Sequence, residues 1–298
     1  MSGTFTTSDG LRLAYDDAGP RAGHPLLCLA GLTRNMADFE PVLDAFGARA
    51  RIVRLDARGR GRSQHDPDWR NYNLVREAQD ALELLDHLGI ARASILGTSR
   101  GGLIALTLGI GHAERLCGVI FVDIGPVLDP AGLAPIVSLV GKRPPYASYE
   151  DAADRLPEAM APRFRDVPRA TWRAHAERIW RQAPDGLDLR YDPRLGDAVR
   201  AAAATDAPPD LWPLLDAFRA LPTALIRGAN SDLLSAETAA EMRRRLQAMI
   251  FADVPGRGHV PFLDEPQAQA AIAAYLDAVE GRGAADRPAA DGAPLTGW

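Results

Sequence analysis

The most informative part of the chain is Ala93-Ser94-Ile95-Leu96-Gly97-Thr98-Ser99-Arg100-Gly101-Gly102. Its apolar first half predicts a strand, its Gly-x-Ser-x-Gly pattern predicts a tight turn, and the apolar residues 103–108 predict a helix. The turn forces its central residue into a strained backbone, and Gly97 and Gly101 lack the β-carbons that would clash where strand and helix cross. Ser99 is therefore a candidate nucleophile at the carboxyl edge of a sheet, beside a helix N-terminus that favours negative charge.

Strand-like and helix-like segments alternate on both sides of this stretch. Apolar runs or alternating patterns predict strands near residues 11–15, 25–31, 52–55, 93–98, 117–123, 223–228 and 249–254. Helical spacing of apolar residues predicts helices near 36–48, 72–88, 103–112, 236–246 and 266–279. This alternation predicts right-handed βαβ units. We expect an α/β core of residues 1–125 and 222–281, with a mostly parallel eight-stranded sheet flanked by helices.

The alternation is interrupted between residues 126 and 221. This stretch has many prolines and several amphipathic segments but no strand pattern, which predicts an inserted all-helical cap. One predicted helix, 169–182, carries Trp172 and Trp180 on one face; they are either an ordinary helical core or the lining of a substrate pocket. The tail, 282–298, is rich in Gly, Ala, Pro and Asp and is predicted to be disordered.

A serine nucleophile needs a base, and the base needs a third group that orients it. His259 lies in a glycine-containing loop directly after a predicted strand, at the same sheet edge as Ser99, and is the candidate base. Asp232 follows the neighbouring strand and is the candidate acid, although aspartate is also common in turns and helix N-caps. The rival acid is Asp123, at the end of the strand 117–123. Exchanging each aspartate for asparagine would discriminate between them.

Attack on a carbonyl also creates an oxyanion, which backbone N–H groups can stabilise. The N–H of Arg100, directly after the nucleophile, is one candidate donor, and the N–H of Leu32, in the turn after strand 25–31, is the other. The Arg100 side chain could either meet a substrate carboxylate or pair with an acidic residue of the fold, and we favour the pairing.

Composition limits the classes of partner and compartment. The 298 residues carry a formal charge of −5 and no basic cluster, which argues against a nucleic-acid surface. No apolar run reaches the roughly 20 residues of a membrane span, and no signal peptide is recognisable. Only two cysteines occur, each within an apolar run; a cytoplasmic location is expected. No metal-ligand spacing is apparent, so neither a metal nor a cofactor is expected.

These motifs together resemble the α/β-hydrolase superfamily, in particular its small, cap-bearing, esterase-like serine hydrolases. The resemblance covers about residues 5–280 and includes the serine turn at 97–102, Asp56-Ala57-Arg58-Gly59-Arg60-Gly61-Arg62-Ser63, the acid and base loops, and the position of the insertion. It implies a triad of Ser99, Asp232 and His259. Ala30-Gly31 replaces the His-Gly of many relatives, and the Gly-Pro-Gly of meta-cleavage hydrolases is lacking. A serine rather than an aspartate nucleophile excludes the alkyl-aspartate mechanism of haloalkane dehalogenases.

The sequence therefore predicts a serine hydrolase that cleaves small or medium carboxylic esters or lactones through an acyl-enzyme. Trp172, Trp180, Trp212 and Val260 are expected to shape its apolar pocket. One alternative is hydrolysis of a C–C bond in a dicarbonyl-type substrate, and another is a ligand receptor built on the same fold. The expected partner is a small molecule; the chain is expected to be a monomer or a homodimer.

Overall fold

The structure is a computed structural model that describes residues 1–204 and 210–281. The predicted disorder of 282–298 concerns residues outside this range. The strands are β1 Ser2–Thr6, β2 Arg12–Ala18, β3 Pro25–Leu29, β4 Arg51–Leu55, β5 Ala93–Thr98, β6 Leu116–Val122, β7 Trp180–Ala183, β8 Gly186–Leu189, β9 Thr223–Gly228 and β10 Ile250–Val254. The helices are α1 Glu40–Phe46, α2 Leu74–His87, α3 Arg100–Gly111, α4 Pro130–Leu139, α5 Tyr149–Ala159, α6 Arg169–Ile179, α7 Leu195–Ala203, α8 Trp212–Asp216, α9 Ala236–Arg245 and α10 Pro266–Gly281.

Eight of the strands form one sheet in the order β1-β2-β4-β3-β5-β6-β9-β10. The pairs β1–β2 and β2–β4 are antiparallel, and the other neighbours are parallel. The predicted mostly parallel, eight-stranded sheet is confirmed. The edge strand β1 was not recognised from the sequence, because its five residues are mostly polar and only Phe5 is buried.

Helices cover both faces of the sheet. The side chains of a strand point alternately to opposite faces, so neighbouring residues of one strand pack against different helices. On β5, Ile95 packs in the cluster that includes residues of α2 and α3, whereas Leu96 packs in the cluster with α1 and α10. All six residues of this strand are buried. A continuous apolar run is therefore the expected sequence for this central strand.

The inserted segment differs from its prediction in one respect. It contains the helices α4 to α8, but α6 ends at Ile179 and is followed by the antiparallel hairpin of β7 and β8. The all-helical prediction is therefore wrong. Pro184-Asp185 supplies the turn, and Gly186, at φ +126°, begins β8; this turn signal was overlooked because each strand has only four residues.

Candidate active site

The turn between β5 and α3 has the strained geometry that its sequence predicts. Ser99 adopts φ 51° and ψ −114°, which non-glycine residues seldom adopt. A β-carbon on Gly97 would lie 2.6 Å from backbone atoms of Gly101, and one on Gly101 would lie 2.0 Å from the Leu29 carbonyl oxygen. Only glycine at these two positions allows the strand and helix to approach so closely and hold Ser99 at the sheet edge.

Ser99, His259 and Asp123 are joined by hydrogen bonds in series. The Nε2 atom of His259 lies 2.9 Å from Ser99 Oγ, and its Nδ1 atom lies 2.8 Å from Asp123 Oδ2. Asp123 directly follows β6, with φ 52°, and is fully buried. The imidazole is therefore held between a hydroxyl and a carboxylate, as a base that accepts a serine proton must be.

The carboxylate of Asp123 is held in place by two further donors. The backbone N–H of Gly228 donates to Oδ1 at 2.8 Å, and the hydroxyl of Ser231 donates to Oδ2 at 2.7 Å. Ser231 also accepts from the backbone N–H groups of Leu233 and Leu234. This serine was not recognised from the sequence, where it is one polar residue in a turn. The acid is thus oriented by the loop after β9.

Asp232, the acid favoured by the sequence, does not contact His259 in the described part of the chain. Its Oδ2 atom instead accepts from Arg163 Nη1 of the inserted segment at 2.8 Å, and its side chain is 31% exposed. The expected pairing of Asp232 with His259 is therefore wrong. The physical reason is the distance of each aspartate from the strand that bears Ser99. Asp123 directly follows β6, which pairs with β5, whereas Asp232 lies four residues beyond β9 and faces outward.

The turn after β3 lies against the serine turn. A β-carbon built on Gly31 would be 3.7 Å from Ser99 Cβ, so this turn passes directly beside Ser99. Leu32 is anchored through its carbonyl oxygen, which accepts from Arg60 Nε at 2.8 Å. The N–H of Arg100 is in the first turn of α3, where no intrahelical acceptor exists. One predicted oxyanion donor thus lies in the turn beside Ser99, and the other is the first N–H of the helix that follows Ser99.

A buried carboxylate binds both Arg100 and Arg60, the arginine that holds the Leu32 carbonyl. Glu77 of α2 accepts from Arg100 Nε at 2.7 Å and from Arg60 Nη1 at 2.7 Å. Burial opposes its ionisation, but the charges of Arg100 and Arg60 outweigh burial and lower the pKa of Glu77. The Arg100 side chain is therefore paired within the fold, which is the alternative that we favoured from the sequence. Neither Glu77 nor Arg60 was recognised as part of this arrangement.

Two of the predicted pocket tryptophans share a cluster and the third does not. Trp172 is 1% exposed and packs edge-to-face with Phe164 and Phe262, whereas the ring of Trp180 stacks at a tilt on Tyr146 beside that cluster. Trp212 packs instead on the main core, 4.4 Å from the guanidinium carbon of Arg245. Val260 directly follows His259 and is half-buried.

A groove of about 630 Å³ lies elsewhere, lined by Pro130, Leu133, Ala134, Val137, Ser138, Lys142 and Arg200. None of these residues belongs to the loops that carry Ser99, Asp123 or His259. Across residues 1–204 and 210–281, no three His, Cys, Asp or Glu side chains are grouped to hold a metal ion. Within the same ranges, no helix has the length and apolarity needed to cross a membrane.

Comparison with known proteins shows the family to which the chain belongs. Residues 26–272 match the model of the alpha/beta hydrolase family, and the chain belongs to that family. The protein is accordingly a hydrolase.

Individual relatives cover nearly all of the chain. It is 34% identical to a 3-hydroxybutyrate-oligomer hydrolase of Cupriavidus necator over 275 residues, which are 88% of this chain and 91% of that protein. It is 27% identical to the 2-(acetamidomethylene)succinate hydrolase of Mesorhizobium japonicum over 241 residues, 80% of this chain and 82% of that one. The crystal structure of an alpha/beta hydrolase from Novosphingobium aromaticivorans superimposes with a TM-score of 0.87 at 34% identity, covering 93% of this chain and 98% of that one.

Proposed function

We propose that the protein is a serine hydrolase of carboxylic esters that works through an acyl-enzyme on Ser99. The observation that carries this proposal is the unbroken hydrogen-bonded series from Ser99 Oγ through His259 to Asp123. His259 Nε2 takes the serine proton as Oγ attacks the ester carbonyl carbon. Asp123 keeps the proton of the imidazole on Nδ1 and stabilises the imidazolium that forms.

The same groups complete the reaction. The developing oxyanion accepts hydrogen bonds from the backbone N–H groups of Leu32 and Arg100, each of which contributes about 3–4 kcal/mol by comparison with donor deletions in other hydrolases. His259 then gives its proton to the leaving alcohol. It next takes a proton from water as that water attacks the acyl-enzyme, and Ser99 is restored.

One relative supports ester cleavage as the reaction. The Cupriavidus necator relative acts, by its name, on oligomers of 3-hydroxybutyrate. Hydroxyacid units in such oligomers are joined by ester bonds, and each oligomer ends in a free carboxylate. We infer a substrate of this kind: a small ester of a hydroxyacid.

We propose further that the inserted segment covers the site as a cap. Arg163 of this segment pairs with Asp232, and Phe164 and Trp172 pack on Phe262, which lies three residues after His259. These contacts support an arrangement in which aromatic side chains of the inserted segment cover the loop that carries His259. Trp172, Trp180 and Val260 remain the candidates for the apolar lining of the substrate pocket. Trp212 is no longer a candidate, because it packs against Arg245.

The proposal is tested by covalent labelling and turnover. A fluorophosphonate should label the folded protein at Ser99, and p-nitrophenyl acetate should be hydrolysed; Ser99→Ala should lose both reactions, whereas Ser138→Ala, at an exposed serine of α4, should keep both. An unlabelled folded protein, or a Ser99→Ala variant with full activity, would contradict the proposal. A labelled protein that leaves esters intact but cleaves a 1,3-diketone would favour C–C hydrolysis instead.

A further inference from the structure

Arg34 is a second arginine close to the nucleophile, and unlike Arg100 it is not bound to Glu77. It follows the turn after β3, and its backbone N–H donates to the Gly31 carbonyl. A β-carbon on Gly31 would lie 3.2 Å from Arg34 Cγ and 3.7 Å from Ser99 Cβ, so these two side-chain carbons are at most about 7 Å apart. The Arg34 side chain therefore passes close to Ser99.

The guanidinium is held in a fixed orientation. Its Nε and Nη2 atoms donate to the carboxylate of Asp38 at 2.6 and 2.8 Å, a bidentate ion pair whose side chains are 19% and 10% exposed. Its Nη1 atom lies 3.3 Å from Nε2 of His175, which belongs to α6. A guanidinium has five N–H donors, so Asp38 and His175 leave donor capacity on Nη1.

The surroundings of Arg34 strengthen such a donor. Burial, together with the charges of Arg34 and Arg178, lowers the pKa of His175 well below its usual value, so this histidine is neutral at pH 7 and does not repel the guanidinium. The rings of Phe262 and Trp172 lie edge-on to the imidazole, with centroids 5.3 and 5.7 Å away. In such an apolar environment a charge-assisted hydrogen bond is stronger than in water.

We propose that Arg34 binds a carboxylate of the substrate while the ester carbonyl lies at Ser99, so that the enzyme selects esters of hydroxyacids with a free carboxylate. This inference rests on the proposed ester hydrolysis. In an ester of a 3-hydroxyacid, the carboxylate carbon is four bonds from the ester carbonyl carbon, about 5 Å when extended. That span is comparable with the limit of about 7 Å between Arg34 Cγ and Ser99 Cβ.

The test compares two substrates that share one internal ester bond and differ in the charge of one end: the linear dimer of 3-hydroxybutyrate and its methyl ester. Cleavage of the shared ester bond is measured by chromatography of the monomer products, because the methyl ester also carries a second ester bond. The variants are Arg34→Gln and the double variant Arg34→Gln/Asp38→Asn, which removes both members of the ion pair and leaves no unpaired carboxylate. Arg178→Gln is the matched control, because it removes a nearby positive charge whose partner is the exposed Glu40. Circular dichroism checks that each variant is folded.

In wild type, kcat/KM should be higher for the free acid than for the methyl ester. Both Arg34 variants should reduce this ratio by about tenfold or more, the size expected for a hydrogen bond to a charged group, chiefly through a higher KM for the acid. Arg178→Gln should change the ratio by less than about twofold.

Two results would overturn the inference alone: equal losses on both substrates in the Arg34 variants, or a wild-type enzyme that prefers the methyl ester. If wild type hydrolyses p-nitrophenyl acetate but neither dimer substrate, the carboxylate inference alone fails. If wild type hydrolyses none of the three esters, or if Ser99→Ala still hydrolyses them, the proposed function fails and the carboxylate assignment fails with it.

Discussion

The assignment of Asp123 as the acid leads to a quantitative prediction for Asp123→Asn. In this variant the amide oxygen keeps the hydrogen bond from the Gly228 N–H, which places the NH₂ group toward Ser231 and His259. An NH₂ group is a donor, so Nδ1 of His259 must become the acceptor and the imidazole proton moves to Nε2. In that tautomer Nε2 cannot take the proton of Ser99.

The size of the effect follows from this change of tautomer. An aspartate-to-asparagine exchange that inverts the imidazole tautomer lowers kcat by about 10⁴ in a serine protease with the same arrangement. At about 1.4 kcal/mol for each factor of ten, this corresponds to about 5 kcal/mol of transition-state stabilisation. Because the side chains have the same shape, the variant should fold, and the loss should appear in kcat rather than in KM.

Asp232→Asn is the matched control for Asp123→Asn. Its ion pair with Arg163 joins side chains that are 31% and 36% exposed, and such pairs contribute at most about 1 kcal/mol. We therefore expect kcat for p-nitrophenyl acetate within about fivefold of wild type. Near-ultraviolet circular dichroism establishes that both variants are folded. If Asp232→Asn loses about 10⁴ in kcat and Asp123→Asn does not, the hydrogen-bonded series described above is not the catalytic one.

Three other predictions concern stability and are measured by urea unfolding. Glu77→Gln leaves Arg60 and Arg100 without their carboxylate and should lower the free energy of unfolding by about 3–5 kcal/mol. The control Glu158→Gln, at an exposed position, should change it by less than about 0.5 kcal/mol. Similar values for both variants would contradict a stabilising role of the ion pairs of Glu77. The pKa of Glu77 is lower in the folded protein than its ordinary value of 4.5, so its charge stabilises the fold fully above that pH, and this contribution is lost as the pH falls through the lower, folded value. The difference in unfolding free energy between wild type and Glu77→Gln should therefore shrink on acidification. A constant difference down to pH 2 would argue against this pairing. Gly101→Ala should lower the free energy of unfolding by about 1–3 kcal/mol, because the new β-carbon would meet the Leu29 carbonyl. A β-carbon at Gly111 has nothing within 4 Å, so Gly111→Ala should not destabilise the protein. Equal losses in both variants would contradict the close crossing of β5 and α3.

The fold was predictable because its signals are local. The apolar runs, the alternation with helices and the glycines around Ser99 each depend on short stretches of sequence, and the central strands appear where they were expected. The prediction failed where the signal was short or polar. β1 has one buried residue, and the hairpin of β7 and β8 consists of two four-residue strands that follow directly on a helix.

The candidate site was predictable only to the level of loops. Sequence order placed Ser99, His259, Asp232 and Asp123 at the carboxyl edge of the sheet, and the structure agrees with that placement. The choice between two aspartates depends on where each side chain points over a few ångströms. The pattern of apolar residues does not predict that Asp123 has a positive φ or that Arg163, distant in sequence, pairs with Asp232.

Glu77 illustrates a role that arises only from tertiary packing. In the sequence it is one charged residue of an amphipathic helix, where the ordinary expectation is exposure to solvent. In the structure it is 2% exposed and is paired with Arg60, in the segment after β4, and with Arg100, the first residue of α3.

This carboxylate connects the two expected oxyanion donors. Arg100 supplies one backbone N–H and binds Glu77 through its side chain, while Arg60 binds Glu77 and also donates to the carbonyl oxygen of Leu32, whose N–H is the other donor. The two loops come from different strands, so covalent geometry alone does not set the distance between them. A single buried ion network that holds both loops would fix the donors before the substrate arrives. Preorganised donors of this kind stabilise an oxyanion without any reorganisation at the moment of reaction.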